Sequence, residues 1–238
     1  KLDIEQKLTD IRNYQTLSEI ISAWQPDMVF HLAAQPLVRI SYSEPLDTWS
    51  TNVMGTVNLL EACRHVPSVK AIVVITSDKC YENHEKKDGY TESDRLGGHD
   101  PYSASKAATE LVVDSYRKSY FEQQGVLLAS ARAGNVIGGG DWSVDRLIPD
   151  AVRSVTKKIP LEVRSPESSR PWQHVLDSLS GYLLLGQKLW EGEQSSAQAW
   201  NFGPVSGQIA TVSDVLESIH VHWPAFTWHI AKQDAQHE

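Results

Sequence analysis

Apolar residues recur along this chain in two alternating rhythms. In LSEIISAWQ (17–25) they fall three and four apart, the spacing of one helix face. DMVFHLAA (27–34) predicts a strand that runs into small residues. TWSTNVMGTVNLLEACRHV (48–66) predicts a long helix with a small-residue seam at Gly55. VKAIVVIT (69–76) is an unbroken, β-branched run, the pattern of a strand buried on both faces of a parallel sheet. YSASKAATELVVDSYRKSYF (102–121) predicts another helix. Asp100 supplies its N-cap, and Pro101 suits a first turn where its missing N–H is not needed. VLLASARAG (126–134) is a strand again. Strands alternating with helices of this length are βαβ units, so the expected fold class is α/β with a doubly wound parallel sheet.

After GNVIGGGD (134–141) the segments shorten, and Pro149, Pro160, Pro166 and Pro171 interrupt them. HVLDSLSGYLLLGQKLW (174–190) and VSDVLESIHVHW (212–223) predict helices, with WNFG (200–203) a short strand between them. The expected organisation is a first domain over 1–140 and a smaller region over 141–238. Residues 171–204 are expected to return in part to the first domain. A doubly wound nucleotide fold opens with a strand, a glycine-rich turn and a helix. Here the only run of three glycines, Gly138–Gly140, follows a late strand and is not a G-x-G-x-x-G.

The bulk numbers narrow the partners. A formal net charge of −8 over 238 residues argues against general affinity for nucleic acid. No apolar run approaches the ~18 residues of a membrane span. Cys63 and Cys80 have no partners at metal-ligand spacing, read as reduced thiols, and fit a cytoplasmic protein. No metal site is expected.

Tyr102 and Lys106 lie four apart at a helix start, so both project from one face. A nearby ammonium stabilises a phenolate and makes tyrosine a better base, and the helix N-terminus adds positive potential. Taken alone, the spacing is more simply a tyrosine packed on a lysine stem. Ser77 and Asp78, however, end the preceding strand, at the carboxyl edge where open α/β sheets bind ligands. Leu32, Ala33 and Ala34, after His31, end the strand before. Their small neighbours either admit a flat ligand to the backbone or ease helix packing. A hydroxyl, an acid, a tyrosine and a lysine on one edge resemble proton-transfer machinery beside a hydride carrier.

Read in order, HLAAQ (31–35), TNVMGT (51–56), ITSDK (75–79), YSASK (102–106), ARAGNVIGGG (131–140), RPWQHVLD (170–177) and WNFGP (200–204) resemble the extended short-chain dehydrogenases/reductases that act on nucleotide sugars. SDK in place of the commoner TDE, with AAQPLVR and AGNVIGGGDW, is similar to the branch that dehydrates CDP-glucose. The resemblance implies that 1–140 is a Rossmann-type domain that binds NAD at a glycine-rich turn, and that 141–238 is mainly substrate-binding. That turn is expected ahead of Lys1, which makes the chain a fragment. Asp10 and Ile11 are the implied adenine contacts. Leu32, Ala33, Ala34, Gln35, Thr51, Thr76, Tyr102 and Lys106 are implied to line the rest of the cofactor.

The implied chemistry divides among five residues. Tyr102 takes the proton of the sugar 4-hydroxyl as hydride leaves C4. Ser77 donates to that hydroxyl or to Tyr102. Lys106 holds the nicotinamide ribose and keeps Tyr102 acidic. Asp78 protonates the departing 6-hydroxyl. Lys79, where the commoner pattern has a glutamate, either removes the C5 proton as a neutral amine or stays charged and stabilises the enolate. Asn135, Arg146, Arg170, Asn201 and Arg39 are implied substrate contacts, and for Arg146 and Asn201 a surface arginine and a turn cap are equally good readings. The implied partners are CDP-glucose and a second copy of the chain, as a dimer or dimer of dimers through helices 48–66 and 102–121. Two rivals are a sugar 4-epimerase of the same family, which needs no acid–base pair for elimination, and a non-catalytic regulator that binds NAD or a nucleotide sugar. Asp78-Lys79 argues against the first, and intact Tyr102 and Lys106 against the second.

Overall fold

The computed structural model describes residues 3–84, 86, 89–204 and 210–231. It divides into two compact units, one of residues 1–133 and 180–202, the other of 134–179 and 203–238.

A four-stranded, wholly parallel sheet organises the first unit. Its order is Met28–His31, Ala71–Ile75, Leu127–Ala133, Ala199–Phe202. Register pairs Phe30 with Val73 and Val73 with Ala129, which aligns the carboxyl ends of the strands. Ala71, Ile72, Val73 and Val74 are fully buried, as a strand covered on both faces requires. On one face Ile72, Val74 and Leu128 join Leu17, Ile21, Leu59, Leu60, Cys63 and Val113 from the flanking helices. On the other face a helix comes very close. A β-carbon on Gly186 would lie 2.5 Å from Phe30, and one on Gly181 would lie 2.4 Å from Phe202.

The helices carry irregularities that a 3.6-residue rhythm does not reveal. The helix expected over 48–66 begins earlier, at Pro45, and runs through a π-helical segment, Ser50–Met54, before continuing as Gly55–Arg64. Gly55 forms the expected seam: a β-carbon there would sit 2.8 Å from Ile11 Cγ2. The next helix, Pro101–Tyr116, is capped by Asp100, whose carboxylate accepts from Ser103 N and Ser103 Oγ at 2.9 and 2.6 Å. A second π-helical segment, Arg117–Phe121, follows it. Short helices Val38–Ser43 and Leu147–Lys157 fall where no helix is expected from the sequence.

Among its described residues, the second unit holds three two-stranded pairings beside the helices Leu147–Lys157 and Val212–His222. Its core is Ala151, Val163, Leu216 and Phe226, closed by Leu147, Val155 and Trp228. The Val212–His222 helix opens on a capping box between Thr211 and Asp214.

Candidate active site

The site begins where the Ala71–Ile75 strand ends. Thr76 N still donates to Ala131 O at 2.8 Å, so the ladder fixes the chain up to Ser77. Ser77 then caps a single 3-10 turn, Asp78–Cys80. Its Oγ accepts from Lys79 N at 3.2 Å and donates to Asp78 Oδ1 at 3.1 Å. Ser77 is buried, while Asp78 and Lys79 are half-buried at the mouth of the strand. The hydroxyl expected to serve the sugar or Tyr102 is directed to Asp78 here.

Tyr102 and Lys106 reach the same edge from the helix capped by Asp100, and both are buried. The helix start is held from two sides. Tyr102 N donates to Ser41 Oγ at 3.1 Å. Gly98 lies so near that a β-carbon on it would meet Ala104 N at 2.2 Å, backbone that cannot yield. Lys106 Nζ sits 3.5 Å from Ile75 O. Burial lowers its pKa to about 8, and the charge of Glu110 works against that fall.

His31, at the end of the first strand, is buried beside this lysine. Burial first, and the Lys106 charge second, push its pKa down to about 4. The Thr56 hydroxyl donates to Asn52 O at 2.7 Å, so His31 Nε2, 2.9 Å from Thr56 Oγ1, carries the proton of that contact. Leu32 and Ala33 follow in an exposed stretch, with Ala34 half-buried. The Gln35 side chain, expected at the cofactor, is engaged in the turn: Nε2 donates to Leu37 O and Thr48 Oγ1, and Oε1 accepts from Leu37 N. Thr76 likewise donates to Glu110. Thr51 lies in the π-helical segment, half-buried.

Asp10 accepts from Arg12 Nε and backbone N at 2.9 Å, and these bonds hold its carboxyl down near 2. Ile11 packs on Gly55 and the core. Both groups of the Asn201 amide are occupied within the protein. Oδ1 accepts from Tyr81 OH at 2.6 Å, and Nδ2 donates to Tyr90 O at 3.0 Å. Arg39 is exposed. Thus the first unit gathers Ser77, Asp78, Lys79, Tyr102, Lys106 and the Leu32–Ala34 stretch at one sheet edge. Asn135, Arg146 and Arg170 belong to the second unit. There Asn135 O accepts from Gln173 N at 3.0 Å, Arg146 Nε is 3.4 Å from Asp141 Oδ2, and Arg170 Nη1 donates to Ser169 O at 2.9 Å.

Among the buried polar residues around this edge that sequence reasoning passed over are Asn52, Tyr81, Glu110 and Arg132. The available signal was position. Glu110 lies one turn beyond Lys106 on the same helix face, and Arg132 sits inside an otherwise small, apolar strand. Cys63 and Cys80 are free and buried, their thiols pushed up to about 12, chiefly by burial. Among the described residues, no group of three His, Cys, Asp or Glu side chains could hold a metal ion, and no helix is long and apolar enough to cross a membrane.

Comparison with known proteins bears on these residues as a set. A family model described as GDP-mannose 4,6 dehydratase matches residues 2–219. A CDP-glucose 4,6-dehydratase of Salmonella typhimurium is 48% identical over 99% of this chain and 67% of its own length. A UDP-glucose 4-epimerase of Mycoplasma genitalium is 27% identical over 85% of this chain and 63% of its own. The chain therefore spans about two thirds of the length of these relatives. Among solved structures, the UDP-glucose 4-epimerase of Thermotoga maritima superposes with a TM-score of 0.80 at 21% identity, covering 95% of this chain and 71% of that one. The NAD complex of a Thermus thermophilus UDP-glucose 4-epimerase does so with a TM-score of 0.77 at 24% identity, covering 94% and 70%. These superpositions establish the Rossmann-like α/β fold.

Proposed function

Since this chain belongs to the GDP-mannose 4,6-dehydratase family, we propose that it is the catalytic portion of an NAD-dependent nucleotide-sugar 4,6-dehydratase acting on CDP-glucose. The observation that carries the reading is the 48% identity to a CDP-glucose 4,6-dehydratase over 99% of the chain. Ser77, Asp78, Lys79, Tyr102 and Lys106 lie within that span and share one sheet edge.

The residues present fit NAD. Ala33 and Ala34 offer a stretch bearing only methyl groups at the strand end, and a buried lysine stands beside it. Leu32, Ala33, Ala34, Tyr102 and Lys106 would hold the nicotinamide end of NAD, which would supply reversible hydride transfer with the sugar. The chain's own groups do the proton work. Tyr102 removes the 4-hydroxyl proton, favoured by the Lys106 charge and the helix N-terminus. Oxidation at C4 acidifies the C5 proton, which the Lys79 side of the site takes or stabilises as enolate. Asp78 protonates the 6-hydroxyl as water leaves, and Ser77 hydrogen-bonds to Asp78 as this occurs. Arg146 and Arg170 offer fork-shaped donors suited to a diphosphate.

The protein acts in the cytoplasm as a homo-oligomer. Trp49, Met54, Leu111 and Tyr120 stand exposed on the two helical runs expected to form the dimer. The test is incubation of the full-length protein with CDP-, dTDP-, UDP- and GDP-glucose, followed by detection of a 4-keto-6-deoxy sugar. A 4-epimer product in place of that sugar would overturn the dehydratase reading in favour of the epimerase.

A further inference from the structure

Glu110 and Arg132 form an ion pair of 2.8 Å with side chains only 3% and 5% exposed. Removing two charges from water is costly, and a hydrophobic pair of similar volume is often at least as stable. The pair's bonds suggest another use. Oε1 of Glu110 accepts from Thr76 Oγ1, and Oε2 accepts from Ser130 Oγ at 2.7 Å as well as from Arg132 Nη2. One carboxylate thereby ties the helix of Tyr102 and Lys106 to the end of one strand, at Thr76, and to the body of the next, at Ser130 and Arg132, and Thr76 immediately precedes Ser77. From Arg132 the contacts continue outward. Nη1 donates to Tyr81 OH at 2.8 Å and to Glu92 O at 3.2 Å. Tyr81 follows the Asp78–Cys80 turn directly, donates to Asn201, and stacks on Tyr90 with ring centroids 5.2 Å apart.

We propose that the Glu110–Arg132 pair is a positioning device, holding the redox groups Tyr102 and Lys106 in register with the elimination groups Asp78 and Lys79. Neither member does chemistry. Glu110 acts through the helix and Thr76, and Arg132 acts through Tyr81 on the turn. The two halves of the reaction act on neighbouring carbons of one sugar, C4 and then C5 and C6, so a small slip between helix and turn leaves C4 oxidation possible while spoiling chemistry at C5 and C6. The Glu110 charge also raises the proton affinity of Lys106 against burial.

This inference rests on the dehydratase reading, and the experiment separates the two. The probe is CDP-glucose with the full-length protein. Reduced cofactor is followed in a single turnover, and solvent deuterium is followed into C5. Tyr81→Phe removes one hydroxyl and keeps the ring. Arg132→Lys keeps the charge and removes the second arm. Both variants should oxidise C4 within about threefold of the native rate, with KM nearly unchanged. Elimination and C5 exchange should fall roughly tenfold or more, so that reduced cofactor accumulates during turnover. Equal loss in both steps, or no change in either, would overturn the positioning role. If the native protein does not oxidise CDP-glucose, the functional reading itself fails and takes the positioning role with it.

Discussion

Asn52 Nδ2 donates to Ser105 Oγ at 2.9 Å, joining the π-helical segment that holds Thr51 to the helix that carries Tyr102 and Lys106. The same amide brackets Gln35: Oδ1 accepts from Gln35 N at 2.7 Å and Nδ2 donates to Gln35 O at 3.1 Å. Asn52→Ala removes all three bonds and leaves Gln35 N–H without its partner. The expected loss is about 2–4 kcal/mol, since unmade bonds at buried groups cost about 1–3 kcal/mol each. Urea denaturation measures it; a loss below about 0.5 kcal/mol would show that the bracket is dispensable.

Tyr102→Phe should abolish turnover and leave the fold intact. Tyr102 packs in the core by its ring, which phenylalanine reproduces. Its hydroxyl is the proposed base at the 4-hydroxyl. The measurement is single-turnover appearance of reduced cofactor beside an unchanged circular dichroism spectrum. Native-rate reduction would remove Tyr102 from the role.

Hydride taken from C4 should reappear at C6 of the same sugar, because the proposed cycle needs no second reductant. Substrate deuterated at C4 therefore yields product deuterated at C6. Complete loss of the label to solvent, or consumption of one NAD per product, would contradict the cycle.

Those three tests touch parts of the molecule that were unequally legible in the sequence. Strands with β-branched runs, such as Ala71–Ile75, could be located because burial on both faces leaves no other pattern. The Tyr102 helix could be located from Asp100 and Pro101, whose capping chemistry is local. The π-helical segments could not, because one extra residue per turn hardly disturbs an apolar rhythm. Asn201, Gln35 and Thr76 illustrate a second limit. Motif position brought each to the sheet edge, but whether a polar side chain turns toward a ligand or toward Tyr81, Thr48 or Glu110 depends on residues distant in the chain. The Glu110–Arg132 pair was invisible for the same reason.

His31 makes stability depend on pH. Its pKa lies near 4 in the folded chain, against 6.5 for the free side chain, so between these values the unfolded chain binds a proton that the folded one refuses. Stability is therefore complete above about pH 6.5 and falls as the pH drops toward 4. The full shift corresponds to roughly 3 kcal/mol. His31→Gln retains a donor for Thr56 and does not titrate. Its thermal midpoint should decline less steeply than the native one across this range. Parallel declines would mean that another group governs the acid limb.

Lys79 separates two ways of breaking the C5–H bond. It stands in the turn capped by Ser77, half-buried, with its backbone N–H fixed on Ser77 Oγ, so its placement is set by the strand end and not by its own side chain. As a neutral amine it would take the C5 proton. As an ammonium it would stabilise the enolate oxygen at C4 while another group took the proton. Lys79→Met keeps the stem and deletes the nitrogen. In either role, C4 oxidation should proceed and elimination should be slowed by roughly two orders of magnitude or more, the usual worth of a positioned base. Exchange of the C5 hydrogen with solvent deuterium distinguishes the roles. If Lys79 is the base, exchange stops in Lys79→Met. If it is the electrostatic partner, exchange is slowed but continues, and adding small primary amines does not restore it. Exchange at the native rate would exclude both roles and move the base elsewhere on this edge.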